Sequence, residues 1–188
     1  MGLFSRRRHA ETQTGTPPAA QPEPAAQAQP AAAVVKLGLD PDSGLDSASE
    51  LAGARTPLQR ITQQIAPFLG PDGAFSVPLA LSLEAFFEGN EAVGSICCNL
   101  DVTPADVYAT LRAIRARTGV EDVLVLLKEV EQDEDGQQDW PFAEDVLVIT
   151  AADASAVASW FPDDQAPDEV VPSPVSAGTA QTWNCWWD

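Results

Sequence analysis

Thr103-Pro104-Ala105-Asp106-Val107-Tyr108-Ala109-Thr110-Leu111-Arg112-Ala113-Ile114, followed beyond Gly119 by Val123-Leu124-Val125-Leu126-Leu127, is the stretch whose reading decides the fold class. Thr103 can cap free helix amides, Pro104 is tolerated at the first helical position, and Asp106 stands where a capping box carries Glu. Val107, Leu111 and Ile114 recur at helical spacing, so this helix buries one stripe. Gly119 closes it, and Arg112, Arg115 and Arg117 suit the negative end of its dipole. Val123 to Leu127 is short, apolar and β-branched, as expected of a central strand covered on at least one face. A one-sided helix running into a buried strand points to an α+β domain.

Toward the C-terminus, Val146 to Ile149 repeats the strand pattern, and the polar stretch Gln132 to Asp139 between the two runs predicts a long hairpin. Thr150-Ala151-Ala152-Asp153 repeats the capping logic before Ala154, Val157, Ala158 and Phe161, a short helix halted by Pro162. An acidic, Pro-rich loop is expected up to Gly178. Thr182 to Trp187 then alternates as a terminal strand, with Trp183, Cys185 and Trp187 on one side and Asn184 and Trp186 on the other.

Toward the N-terminus, Leu79, Leu81, Leu83, Ala85 and Phe87 alternate with Ser82, Glu84 and Glu88, which reads as a strand ended by Gly89-Asn90, with a short helix capped by Ser82 as the alternative. Thr56-Pro57 starts a helix carrying Leu58, Ile61, Ile65 and Phe68, stopped by Gly70-Pro71. These elements predict one α+β domain over residues 55–188: an antiparallel sheet with helices on one face, in the split β-α-β, ferredoxin-like order, plus one extra N-terminal helix. Residues 1–54 read as a disordered Ala/Pro-rich arm, and deleting residues 2–52 is expected to leave the domain's melting unchanged. Arg6, Arg7 and Arg8 near its tip read as a solvated charge cluster.

Several function classes are disfavoured by what the chain contains. No apolar run approaches the roughly 18–20 residues of a membrane helix, and no h-region follows the first charges. Three cysteines, Cys97, Cys98 and Cys185, are a poor disulfide framework and lack zinc spacing, so a cytoplasmic protein with buried thiols is expected. The one histidine, His9, lies in the arm, which removes Ser-His-Asp and Cys-His units from the domain. Neither a P-loop nor a dinucleotide-binding glycine pattern occurs. Glu131 to Phe142 places oxygens and Gly136 like a calcium loop, but Phe142 replaces the bidentate Glu and Pro141 opposes an exiting helix. No catalytic residue, cofactor or metal is therefore assigned. Glu84, Glu88, Asp101 and Asp122 near predicted element ends leave a small carboxylate-based or metal-dependent hydrolase as the alternative.

Charge is the feature furthest from ordinary. The chain carries 28 acids against 10 bases, a net −18, and beyond residue 119 sixteen acids face the single base Lys128. An acidic structural domain, charged for solubility or a salt-rich habitat, is one alternative, yet the field also repels nucleic acid and anionic membranes and attracts basic proteins. The expected function is a non-enzymatic protein-binding module of the immunity or inhibitor type, presenting an acidic face to a basic partner. Asp133, Glu134 and Asp135 are its candidate steering charges, and an exposed Trp186 is the candidate apolar anchor.

Three segments, Ser82-Leu83-Glu84-Ala85-Phe86-Phe87-Glu88-Gly89-Asn90, Gly94-Ser95-Ile96-Cys97-Cys98-Asn99-Leu100 and Asp139-Trp140-Pro141-Phe142, resemble recurring signatures of a small bacterial family of unassigned function. The resemblance covers about Leu79 to Asp188, leaves the arm as an addition and implies no activity.

Overall fold

Each helix begins where a short polar side chain can accept an amide that the first turn leaves free. In α1 (Pro57–Ile65) and α3 (Pro104–Arg115) the capping box is reciprocal: Thr56 pairs with Gln59, and Thr103 with Asp106. In α2 (Leu83–Phe87) the Ser82 hydroxyl accepts the Ala85 amide at 3.2 Å, and in α4 (Ala154–Ala158) the Asp153 carboxylate accepts that of Ala156 at 2.8 Å. These contacts belong to a computed structural model that describes residues 32–38, 56–70, 74–96, 101–130, 139–143 and 145–187. Contacts divide the chain into a unit Met1–Pro30, outside the described residues, and a unit Ala31–Asp188.

Eight strands accompany the helices: β1 (Ala32–Ala33), β2 (Val35–Leu37), β3 (Leu79–Ser82), β4 (Val120–Leu126), β5 (Asp145–Thr150), β6 (Glu169–Pro172), β7 (Val175–Ser176) and β8 (Thr182–Trp186). Six of them form one sheet in the order β2-β3-β4-β5-β8-β6. β2 runs parallel to β3 and every other neighbouring pair is antiparallel, so the α+β class holds and the sheet is mixed.

The ferredoxin-like order does not hold. It would set a third strand between the two joined by the first long connection, but β3 pairs directly with β4, Leu81 opposite Val125. One crossover helix normally returns a chain parallel to the strand it left; here α2 and α3 lie between, and a tight turn at Gly119 (φ 88°) leads from α3 into β4. The expected long hairpin is present as the β4–β5 pair.

Faces follow the pleat. Leu79, Leu81, Val123, Val125, Val146, Val148 and Cys185 pack with Ile61, Ile65, Phe86, Val107, Leu111, Ile114 and Val157, so all four helices cover one face. Ala80, Leu124, Leu147 and Ile149 point the other way and are covered by Val175, Ala177 and Val34.

Two local readings are corrected. The run from Leu79 is a strand only to Ser82, where α2 starts, because Ser82 turns its hydroxyl into the cap. Thr150 ends β5, donating to the Gly119 carbonyl at 2.8 Å, and the cap falls to Asp153. Two stretches hold strands that the sequence did not suggest. Val35 and Leu37, inside the segment read as arm, pack on the helix-side core from β2, and the loop before Gly178 contains β6 and β7.

The cover on the second face is clamped. The exposed Glu121 carboxylate accepts the Thr179 amide at 3.0 Å, the Thr179 hydroxyl at 2.9 Å and the Ala180 amide at 2.9 Å. The Ala180 amide first, then the two Thr179 donors, hold this carboxyl below the usual glutamate range. A carboxyl whose folded value is depressed contributes stability that is present above its unfolded value and lost as pH falls through the folded one. Glu121→Gln is therefore expected to flatten the acid side of the stability profile below the ordinary glutamate range. Denaturation midpoints at a series of pH values check this, and parallel wild-type and variant profiles would refute the clamp.

Candidate functional site

The first signature explains itself largely as architecture. Phe86 is fully buried and meets Phe87 edge-on, with centroids 5.0 Å apart, while Phe87 stacks on Tyr108. Glu84 receives both guanidinium branches of Arg115, and this pairing holds its carboxyl below the usual range. Gly89 takes φ 77° beside Pro57 of α1. The last residue does something different. Asn90 is buried, accepts the Ala92 amide at 3.0 Å and donates to the Ser95 hydroxyl at 2.9 Å, which pins the loop between them.

That bond joins the first signature to the second, and a backbone bond joins the second to Ala143, the residue after the third. The Ala143 amide donates to the Ser95 carbonyl at 2.9 Å, and Ile96 bridges Ala143 in parallel. Phe142 in turn exchanges backbone bonds with the segment after β4: its amide donates to Glu129 at 3.0 Å, and its carbonyl accepts from Lys128 at 2.9 Å. Where the second and third segments face each other, an open cleft of about 520 Å³ is lined by Val93, Ser95, Glu129, Asp139, Trp140 and Phe142, among others.

Chemically the cleft is an aromatic and acidic surface. Glu129 and Asp139 are exposed, and among the described residues neither has an ion-pair partner; the salt bridges there are Lys36–Asp122 and Arg115–Glu84. Val93 is 74% exposed, the most exposed large hydrophobic residue among those described. The Ser95 hydroxyl is held by an amide, which cannot take a proton, so the contact creates no activated nucleophile. Among the described residues no group of three or more His, Cys, Asp or Glu side chains is placed to hold a metal ion. Cys185 is buried, which pushes its thiol up to about 12.

Of the residues singled out from sequence, Asp133, Glu134 and Asp135 lie outside the described residues, as do Cys97 and Cys98. Trp186 sits on β8, half-buried, opposite Asp145 on one side and Glu169 on the other. It is on the sheet face away from Trp183 and Cys185, as the alternation predicts. Glu84 and Asp122, considered for acid–base chemistry, are engaged with Arg115 and Lys36. Sequence reasoning missed Val93, Ser95, Glu129 and Asp139 as neighbours, although the signatures carry two of these four. Among the described residues no helix is long and apolar enough to cross a membrane.

A family model described as "Uncharacterized protein YfbO family" matches residues 56–184. The protein "Uncharacterized protein YfbO" of Escherichia coli (strain K12) is 39% identical over 145 residues, covering 71% of this chain and 99% of that protein. No solved structure matches the chain. The matched region starts at Thr56, so the family resemblance takes in α1 as well as the segments from Leu79 onward. With the family model spanning most of the chain and the relative matched over nearly its whole length, the chain belongs to the YfbO family.

Proposed function

We propose that this chain is a non-enzymatic protein-binding module of the inhibitor or immunity type, meeting a basic partner with its acidic surface at the signature cleft. The observation that carries this reading is the meeting of the second and third signature segments, braced by Asn90 of the first, around one cleft whose carboxylates have no ion-pair partner among the described residues. The buried Asn90 and Ser95 hold the loop that carries Val93, which preorganises a contact surface. Asp133, Glu134 and Asp135 then steer the encounter, and Trp186 supplies an apolar contact between Asp145 and Glu169.

Capture from native lysate with the full chain tests the reading. A basic protein is expected to be retained at low salt and released well above physiological ionic strength, where the Debye length falls below about 8 Å. With that protein purified, neutralising Asp133, Glu134 and Asp135 should slow association, and Trp186→Ala should mainly speed dissociation. Association indifferent to salt and to these substitutions, or specific binding of DNA or RNA, would overturn it.

A further inference from the structure

We infer that the signature cleft seats a cationic side chain, the arginine or lysine of an extended segment of a partner protein; this rests on the protein-binding reading above. Its volume of about 520 Å³ falls within the roughly 300–1,000 Å³ of ordinary ligand sites and exceeds what one small ion would use. The lining combines what a long basic side chain needs. Val93 and Phe142 line the cleft with apolar surface for a methylene stem, the half-buried Trp140 adds an aromatic ring to the lining, and Glu129 and Asp139 supply counter-charges.

Two further observations favour this occupant over a neutral one. Glu129 and Asp139 have no ion-pair partner among the described residues, in a chain whose last third carries sixteen acids and one base, so an arriving cation finds two carboxylates to pair with. Val93 is left 74% exposed at the cleft, on the loop that the Asn90–Ser95 bond holds. An apolar stem would cover it. Arginine gains most, since its planar guanidinium can stack on an indole while its fork engages a carboxylate.

The test uses the full chain and the probe peptide acetyl-Gly-Gly-Arg-Gly-Gly-amide, with citrulline as the uncharged isostere in a second peptide and lysine in a third. The arginine peptide is expected to shift the amide resonances of Gly94, Ser95 and Phe142 saturably, the lysine peptide to do so more weakly, and the citrulline peptide not at all. In the double variant Glu129→Gln/Asp139→Asn the dissociation constant should rise at least about tenfold. Asp163→Asn/Asp164→Asn, which removes the same charge from the exposed turn after Phe161, should leave it within about twofold.

Equal weakening by both double variants would overturn the inference, because only the overall field would be acting. So would equal binding of the arginine and citrulline peptides, or shifts confined to other residues. If a basic partner is captured and released by salt while the arginine peptide leaves the cleft untouched, the cleft assignment fails and the protein-binding reading stands.

Discussion

Phe86→Ala is expected to lower the free energy of unfolding by about 3–5 kcal/mol, the range for truncating a buried aromatic ring. The side chain is completely inaccessible, stands edge-on to Phe87 and lies in the cluster that joins the helices to the sheet. Its removal deletes the buried surface and leaves a void. That void is bounded by an α2 of only five residues, which is held by its cap and its packing more than by its own hydrogen bonds. Urea titration should show the midpoint falling with little change of slope. A loss below about 1 kcal/mol would mean that the cluster repacks and that Phe86 is not a keystone of the first signature.

Gly89→Ala is expected to cost about 2–4 kcal/mol, from two separable sources. At φ 77° a side chain is strained by roughly 1–2 kcal/mol wherever it stands. A β-carbon here would also lie 2.5 Å from Cγ and 2.8 Å from Cβ of Pro57, so the start of α1 would have to move. Pro57→Gly removes both opposing atoms. In that background Gly89→Ala should cost only the backbone part, and a double-mutant cycle should return a coupling on the order of 1–2 kcal/mol. Zero coupling would show that α1 yields freely at its first turn.

How far the sequence reaches depends on whether a signal is local. The caps at Thr56 and Thr103 were legible because hydroxyl, proline and the third-position partner lie within four residues. The same logic misfired at Thr150, whose hydroxyl is taken by Gly119, 31 positions away. Leu79 to Phe87 alternates like a strand, yet only Leu79–Ser82 is one, because the Ser82 hydroxyl accepts the Ala85 amide and starts a helix there. β2, β6 and β7 are two to four residues long and two of them adjoin or include proline, so no periodicity could announce them. The order of the sheet and the making of the cleft were beyond reach for one reason. Both depend on contacts such as Ser95 with Ala143 and Leu81 with Val125, between segments that carry no mark of each other.

The short parallel pairing of β1 with β7, Ala32 beside Val175 and Ala33 beside Ser176, bears on how the protein comes into being. The two strands lie about 140 residues apart, so a ribosome adding roughly 5–20 residues per second releases β7 about seven to thirty seconds after β1. Until then Val34 has no Val175 or Ala177 to meet, and the second sheet face lies bare along Leu124, Leu147 and Ile149. The nascent chain thus passes through an interval in which an apolar sheet face is open to any passing strand, and it closes only once Val175 and Ala177 have left the ribosome. Contacts between distant parts of the chain also slow that last step. Yield in the cell would then be governed by how long the growing chain is shielded, as well as by the stability of the finished fold.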